Sequence, residues 1–183
     1  MKLTDFNNIE DLAEWISINI EHIPTGADDV FISVNEIFKY KHANCIDLAL
    51  LYHQYFKLNH INHGIFQIGL YQNMGINQQG QYHICSYYLE NGIYKIVQNL
   101  LTDNIISEIF SETTNLMYSL IKFKNKFLPD YKQLTHMYNA KEVIRILNKS
   151  DIKILDLYIK NNNIYKKQDK FFKLMENKIN ILN

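Results

Sequence analysis

The first 60 residues space their apolar side chains three or four positions apart, which is typical of helices packed on a core. Residues 9–22 form one such amphipathic stretch, and Asp29–Tyr40 form a second. A third stretch, Cys45–Phe56, is apolar on most sides, and this predicts a helix buried on most of its faces. The pattern therefore predicts three helices before any strand.

The start of the third helix is marked by its polar residues. Asn44 is a favoured N-cap residue, and Asp47 stands three positions later, where a capping-box acid reaches back to the cap. This places Cys45 on the first turn of the helix.

Strand patterns follow after Asn62. Gly64–Tyr71, Tyr82–Leu89 and Ile93–Val97 predict three strands, and the polar stretch Asn73–Gln81 predicts a loop between the first two. Asn91-Gly92 separates the last two strands and predicts a hairpin with a two-residue type I′ turn.

That turn fixes an expected register, in which four pairs face each other: Glu90 with Ile93, Leu89 with Tyr94, Tyr87 with Ile96, and Cys85 with Gln98. Gln98 then becomes a diagonal neighbour of His83 on one face of the sheet. Asn99 points to the other face unless a bulge turns it inward, so it is the alternative to Gln98.

After Leu100 we predict a return to helices. They are expected from Thr102 or Asp103, over Leu116–Phe127, after Asn139 with Glu142 in capping-box position, over about Ile152–Lys160, and over about Lys166–Ile181. The predicted fold class is α+β in a single domain, 1–183, with a core over 1–100 and a helical extension over 101–183.

Composition narrows the classes of function. The 183 residues carry 19 basic and 19 acidic side chains, and this balance argues against nucleic-acid binding. No apolar run reaches the length of a membrane span, and the first residues lack the apolar core of a signal peptide. Two cysteines cannot form a disulfide framework. We therefore expect a cytoplasmic protein.

Cys45 and His83 are the residue types of a cysteine nucleophile and its base. The positive end of a helix dipole favours a thiolate at its first turn, and an imidazole can exchange that proton near neutral pH. The amide oxygen of Gln98 can accept from the His83 ring and orient it, as the third member of a triad does.

These residues resemble the core of the transglutaminase-like superfamily. The similarity rests on Asn44–Leu51, a strand containing Gly69, His83–Leu89 and Gly92–Gln98, within about Asp28–Asn99. It implies a papain-like fold in which Cys45 is the nucleophile, His83 the base and Gln98 the third member. This chain departs from the family in having Ala43 for a Gly, Cys85 for an aromatic residue and Gln98 for the usual Asp.

The resemblance implies cysteine-dependent acyl transfer on an amide bond of a protein or peptide. Hydrolysis, as in a peptidase or amidase, is the first expectation, and transfer to an amine is the alternative. Neither a metal nor an organic cofactor is implied.

Two other classes stay open. One is a non-catalytic binding module that retains the fold, which the Gln98 departure favours. The other is a small zinc-binding protein using His42, Cys45, His83 and Cys85. The simplest role of Cys85 is to fill space in the sheet.

Overall fold

The structure is a computed structural model that describes residues 1–23, 32–74, 77–99, 105–111 and 141–146. For residues 68–74, 77–83, 98–99, 105–111 and 141–145 it describes the backbone alone.

Three α-helices follow a short 3₁₀ turn at Leu3–Asp5. They are α1 (Ile9–Asn19), α2 (Val34–Tyr40) and α3 (Cys45–Leu58), so the three predicted helices are confirmed in the described residues. The side chain of Asn8 caps α1, and Ser33 forms a capping box with Glu36 at the start of α2. The first residues of the second predicted helix, 29–31, lie outside the described residues.

The helix predicted over 9–22 ends earlier, because the chain leaves α1 to pair with another segment. Strand β1 (Glu21–His22) runs parallel to β2 (His42–Ala43). The N–H of Glu21 donates to the carbonyl of Lys41, and that of Ile23 donates to the carbonyl of Ala43. This pairing fixes the chain immediately before α3.

A five-stranded sheet forms the rest of the described structure. Its strands are β3 (His63–Met74), β4 (Asn77–Glu90), β5 (Ile93–Asn99), β6 (Ile105–Ser111) and β7 (Lys141–Ile146). Their order is β6-β5-β4-β3-β7, and every neighbouring pair is antiparallel.

The hairpin between β4 and β5 follows the prediction. Asn91 and Gly92 have φ angles of 51° and 73°, and two positive φ values in succession define a type I′ turn. The predicted pairs from Glu90–Ile93 to Tyr87–Ile96 are confirmed. A turn that demands positive φ twice in a row leaves few other registers, which is why local sequence was sufficient here.

The polar loop predicted over Asn73–Gln81 is wrong. Strand β3 continues to Met74 and β4 begins at Asn77, with these two residues paired at the end of a long hairpin. Backbone hydrogen bonds hold antiparallel strands together whatever their side chains are, so the polar composition of this segment did not reveal the pairing.

Two of the helices predicted after Leu100 are also wrong where the structure describes them. Residues 105–111 form β6 on the free edge of β5, and residues 141–146 form β7 on the free edge of β3. Both segments are rich in Ile or Val, which suit strands, and the edges of β5 and β3 supply the backbone partners that a local pattern cannot reveal. These parts of the predicted helical extension therefore belong to the sheet. The other predicted helices, including Leu116–Phe127, lie outside the described residues.

Helix α3 packs on one face of the sheet, mainly against β4. Its apolar side chains join those of α1, α2 and the sheet in one core, whose fully buried members include Leu12, Ile16, Ile37, Leu51 and Phe56. The arrangement of helices packed on an antiparallel sheet is α+β, as predicted.

Candidate functional site

Cys45 is the first residue of α3, as the capping pattern predicts. Its side chain is 7% exposed, so the thiol lies at the edge of the core. Strand β2 ends two residues earlier at Ala43, and its pairing with β1 holds the approach to the helix. The site therefore starts from a cysteine whose backbone is fixed on both sides.

The predicted capping box is present. The Asn44 side-chain oxygen accepts hydrogen bonds from the N–H groups of Ile46 (2.9 Å) and Asp47 (3.0 Å). In return, one carboxylate oxygen of Asp47 accepts from the N–H of Asn44 at 3.1 Å. The helix N-terminus beside Cys45 is thus closed by two reciprocal side-chain bonds.

Asp47 also makes a contact that sequence reasoning missed. Its second carboxylate oxygen accepts a hydrogen bond from the N–H of Ile32, 15 residues earlier, at 3.1 Å. The carboxylate is 2% exposed, and it ties the segment before α2 to the turn that presents Cys45. A capping acid gives no local sign of such a distant donor.

The contacts of α3 with β4 show which sheet face meets the helix. The Ser86 hydroxyl donates to the carbonyl of Ala49 at 3.0 Å, and the Tyr88 ring stacks on Phe56 at 4.9 Å between centroids. Side chains alternate between the two faces along a strand, so the face towards α3 is the face of Ser86 and Tyr88.

His83 lies on β4 opposite Ile68 of β3. The register runs without interruption from His63–Tyr88 to beyond this pair, which gives His83 the parity of Cys85 and Tyr87 along the strand. Its side chain lies outside what the structure describes, and the pairing of Cys45 with His83 stays a prediction.

The two candidates for the third member lie at the end of β5. Gln98 pairs with Ile106 of β6 and has the parity of Ile96, whereas Asn99 pairs with Ile105 and has the parity of Val97. The pairing of β5 with β4 runs from Ile93–Glu90 to Val97–Ser86. The side chains of Gln98 and Asn99 lie outside the described set, so the choice between them stays a prediction.

On the sheet face away from α3, Cys85 and Phe66 are buried, whereas Tyr87 and Tyr94 are half-buried. Cys85 is 1% exposed there and lies on a strand next to Phe66, which agrees with the space-filling role predicted for this cysteine. The Tyr87 ring packs edge-on against Tyr94 at 5.9 Å between centroids. Burial raises the pKa of Tyr87, and the neighbouring Tyr94 adds to the rise.

Two further polar side chains on the α3 face were missed by the sequence analysis. Gln67 is 3% exposed and lies opposite Ile84, and His63 contacts His53 of α3. The two-residue period of a strand is the signal that could have placed Gln67 on the same face as Ile65, since the two residues share one parity.

Among the side chains that the structure describes, no group of three or more His, Cys, Asp or Glu residues could hold a metal ion. His42, one of the residues considered for zinc, stacks on Tyr40 at 5.9 Å between ring centroids. The predicted zinc set also includes His83, whose side chain falls outside the described residues.

A scan of protein-family models gives no match to this chain, and a search of curated proteins finds none that is significantly similar. Within the described part of the chain, each helix is too short or too polar to cross a membrane.

Proposed function

We propose that this protein is a cysteine-dependent acyl-transfer enzyme of the transglutaminase-like type, with a papain-like core, that hydrolyses an amide bond of a protein or peptide. One observation carries the proposal: Cys45 is the first residue of a capped helix that packs on β4 and β5, the strands that contain His83 and Gln98. A nucleophile on a helix start and a base on a neighbouring strand are the plan of cysteine hydrolases.

In the proposed reaction, the Cys45 sulfur attacks the amide carbonyl carbon and the C–N bond breaks. The protonated His83 ring gives its proton to the leaving amine, and a thioester to Cys45 remains. Water then attacks the thioester with His83 as the base, and the acid product and the free thiol are released. An amine in place of water would give transamidation.

The capping box limits which backbone N–H groups can bind the oxyanion of that reaction. Asn44 already binds the N–H groups of Ile46 and Asp47, so the proposal assigns the N–H of Cys45 to the carbonyl oxygen of the substrate. The same turn contains the carboxyl group of Asp47, which accepts hydrogen bonds from the N–H groups of Ile32 and Asn44. In the proposal, the imidazolium of His83 stabilises the thiolate of Cys45.

Reactivity of the two cysteines tests the proposal. The rate of iodoacetamide alkylation is measured from pH 5 to 9, with mass spectrometry to locate the adduct. Cys45 should react well below pH 8.5, which is the ordinary pKa of a thiol, and its rate should fall when His83 is replaced by Ala. Both cysteines are buried, so Cys85, which is 1% exposed, serves as the internal control for reactivity that comes only from opening of the core. If the alkylation rate of Cys45 depends on pH as that of an ordinary thiol does, both in the wild type and in His83→Ala, the proposed enzyme function is contradicted.

A second candidate, the non-catalytic binding module, is favoured by the strand register. Along β4, His83 has the opposite parity to Ile84 and Ser86, and Ser86 contacts α3. For His83 to meet Cys45, β4 has to shift by one residue near His83, as a β-bulge does. In a binding module no such shift is needed, and replacing His83 leaves the thiol unchanged. The alkylation experiment therefore separates the two functions.

A further inference from the structure

Two histidines form a direct polar link between α3 and the sheet. Nδ1 of His53 on α3 lies 2.8 Å from Nε2 of His63 at the start of β3. Nδ1 of His63 lies 2.7 Å from the carbonyl oxygen of Ile61. His53 is 6% exposed, and the His63 ring packs against Phe56 with 5.3 Å between centroids. The link is thus partly buried, with His53 more enclosed than His63.

These distances fix the proton on each ring of the neutral pair. A carbonyl oxygen only accepts, so Nδ1 of His63 carries a hydrogen and donates to Ile61. The Nε2 atom of a neutral His63 then has a lone pair, and Nδ1 of His53 donates to it. The pair therefore has one tautomer for each ring.

Proton uptake affects this link in two stages. One added proton converts one ring to an imidazolium, and the N–H···N bond persists because the other ring still offers a lone pair. A second added proton places N–H against N–H at the same contact, with two positive charges side by side. The hydrogen bond is then lost and the charges repel each other.

We propose that His53 and His63 form an acid-sensitive latch between α3 and β3, which holds with no or one added proton and opens when the second is bound. The latch is independent of the function proposed for Cys45, because it requires only that α3 stay docked on the sheet.

The titratable and charged groups from the surrounding elements are Tyr52 and Lys57 on α3, His60 in the turn that follows, Tyr88 on β4, and Lys95 on β5 with its partners Glu10 and Glu90. Burial raises the pKa of Tyr52, so its hydroxyl stays neutral throughout the acid range. Lys95 forms an ion pair with Glu90 and lies 3.8 Å from the carboxylate of Glu10.

The latch makes stability depend on pH with a definite sign. In the unfolded chain both imidazoles bind protons independently, with an ordinary pKa of about 6.5. The closed pair binds at most one added proton, so the unfolded state holds about one more proton at acid pH. Stability therefore falls as the pH falls, and the unfolding constant rises up to about tenfold for each pH unit.

Urea unfolding of the full chain between pH 8 and pH 5 tests the latch. His53→Asn keeps an N–H donor near the position of Nδ1 but does not titrate, and His63→Gln offers an oxygen near the position of Nε2. Both variants should lose most of the excess rise in the unfolding constant below pH 7. His60→Asn is the matched control, because His60 is exposed and has a φ of 55°, which Asn tolerates. This control should keep the wild-type slope.

The same question can be asked without any variant. Nitrogen-15 spectra of the imidazoles in the wild-type protein should show the Nδ1–H tautomer on both rings at pH 8. They should then show one proton taken up before α3 loses protection against amide hydrogen exchange. A wild-type slope in His53→Asn, or two imidazolium rings with α3 fully protected, would overturn the latch.

Discussion

The hydroxyl of Ser86 on β4 donates a hydrogen bond to the carbonyl oxygen of Ala49, one turn after Cys45 on α3. This bond joins the first half of the helix to the middle of the sheet, and Ser86 is fully buried. It also defines which residues of β4 face the helix. The relation between α3 and β4 decides whether Cys45 can be reached from His83, so the bond is worth testing by itself.

Replacing Ser86 with Ala should lower the free energy of unfolding by about 1 kcal/mol, the usual net value of one hydrogen bond. The loss stays modest because the Ala49 carbonyl keeps its place in the hydrogen-bonded α3 helix. Urea unfolding measures it. Ser17 is a matched control, since its hydroxyl donates to the carbonyl of Glu14 at an exposed position. A Ser17→Ala loss as large as that of Ser86→Ala would mean that the buried bond adds nothing.

Asp47 should be more costly to replace. Asp47→Ala removes the acceptor of two backbone N–H groups, those of Ile32 and Asn44. Leaving a buried donor without a partner costs about 1–3 kcal/mol, so the expected loss exceeds that of an ordinary cap. Asp47→Asn keeps one oxygen and should lie between Asp47→Ala and wild type in urea unfolding.

The capping box of α2 is the control for Asp47. Glu36 also occupies the third position of its helix, and within the described residues it accepts hydrogen bonds from the N–H and hydroxyl of Ser33, at a half-buried site. Glu36→Ala should cost about 1 kcal/mol. Equal losses for Glu36→Ala and Asp47→Ala would show that the long-range bond to Ile32 contributes nothing to stability.

Gly64 should resist replacement because of one ring. A Cβ atom on Gly64 would overlap the hydroxyl end of the Tyr87 side chain. The ring of Tyr87 packs against Phe66 and Tyr94, so it can move little. Gly64→Ala should lower the free energy of unfolding by about 1–3 kcal/mol.

A double-mutant cycle checks the origin of the Gly64 loss. Tyr87→Leu removes the hydroxyl oxygen and the two ring carbons, Cζ and Cε1, that a Cβ on Gly64 would overlap, and in this background Gly64→Ala should cost measurably less. Additive losses in the two backgrounds would mean that the overlap with Tyr87 is not the cause.

The features that could be predicted from the sequence are those set by neighbouring residues. Asn91-Gly92 specifies its turn through two positive φ angles, and Asn44 with Asp47 specifies the start of α3 through two short-range bonds. The position of Cys45 follows from the second of these. In each case the residues that make the interaction lie within a few positions of one another.

The features that could not be predicted depend on partners far along the chain. Strands β6 and β7 form on sheet edges that no local pattern reveals. The bond between Asp47 and Ile32 and the contact between His53 and His63 likewise join residues that only the fold brings together. The parity of His83 relative to Ser86 depends on β4 keeping one register over its whole length. The predicted pairing of Cys45 with His83 depends in turn on that parity.

The third member of the proposed triad is tested by giving it a charge. In the proposed triad, Gln98→Asp exchanges the neutral amide that would orient the His83 ring for a carboxylate. A negative partner stabilises the imidazolium more than an amide does, so the thiolate–imidazolium pair should persist to higher pH. The alkylation profile of Cys45 is then expected to extend upward by about one pH unit. Asn99→Asp is the control, because Asn99 is the next residue of β5 and has the opposite parity to Gln98.

The two variants distinguish three arrangements. A shift in Gln98→Asp alone supports the Cys45–His83–Gln98 triad, and this requires β4 to bring His83 to the side of α3. A shift in Asn99→Asp alone assigns the third position to Asn99, which shares the parity of Val97 and hence that of the residues facing the helix. If neither charge moves the profile and His83→Ala leaves it unchanged as well, Cys45 does not sense these residues. The binding module is then the better account, because a thiol without a base on its side of the sheet has no route to acyl transfer.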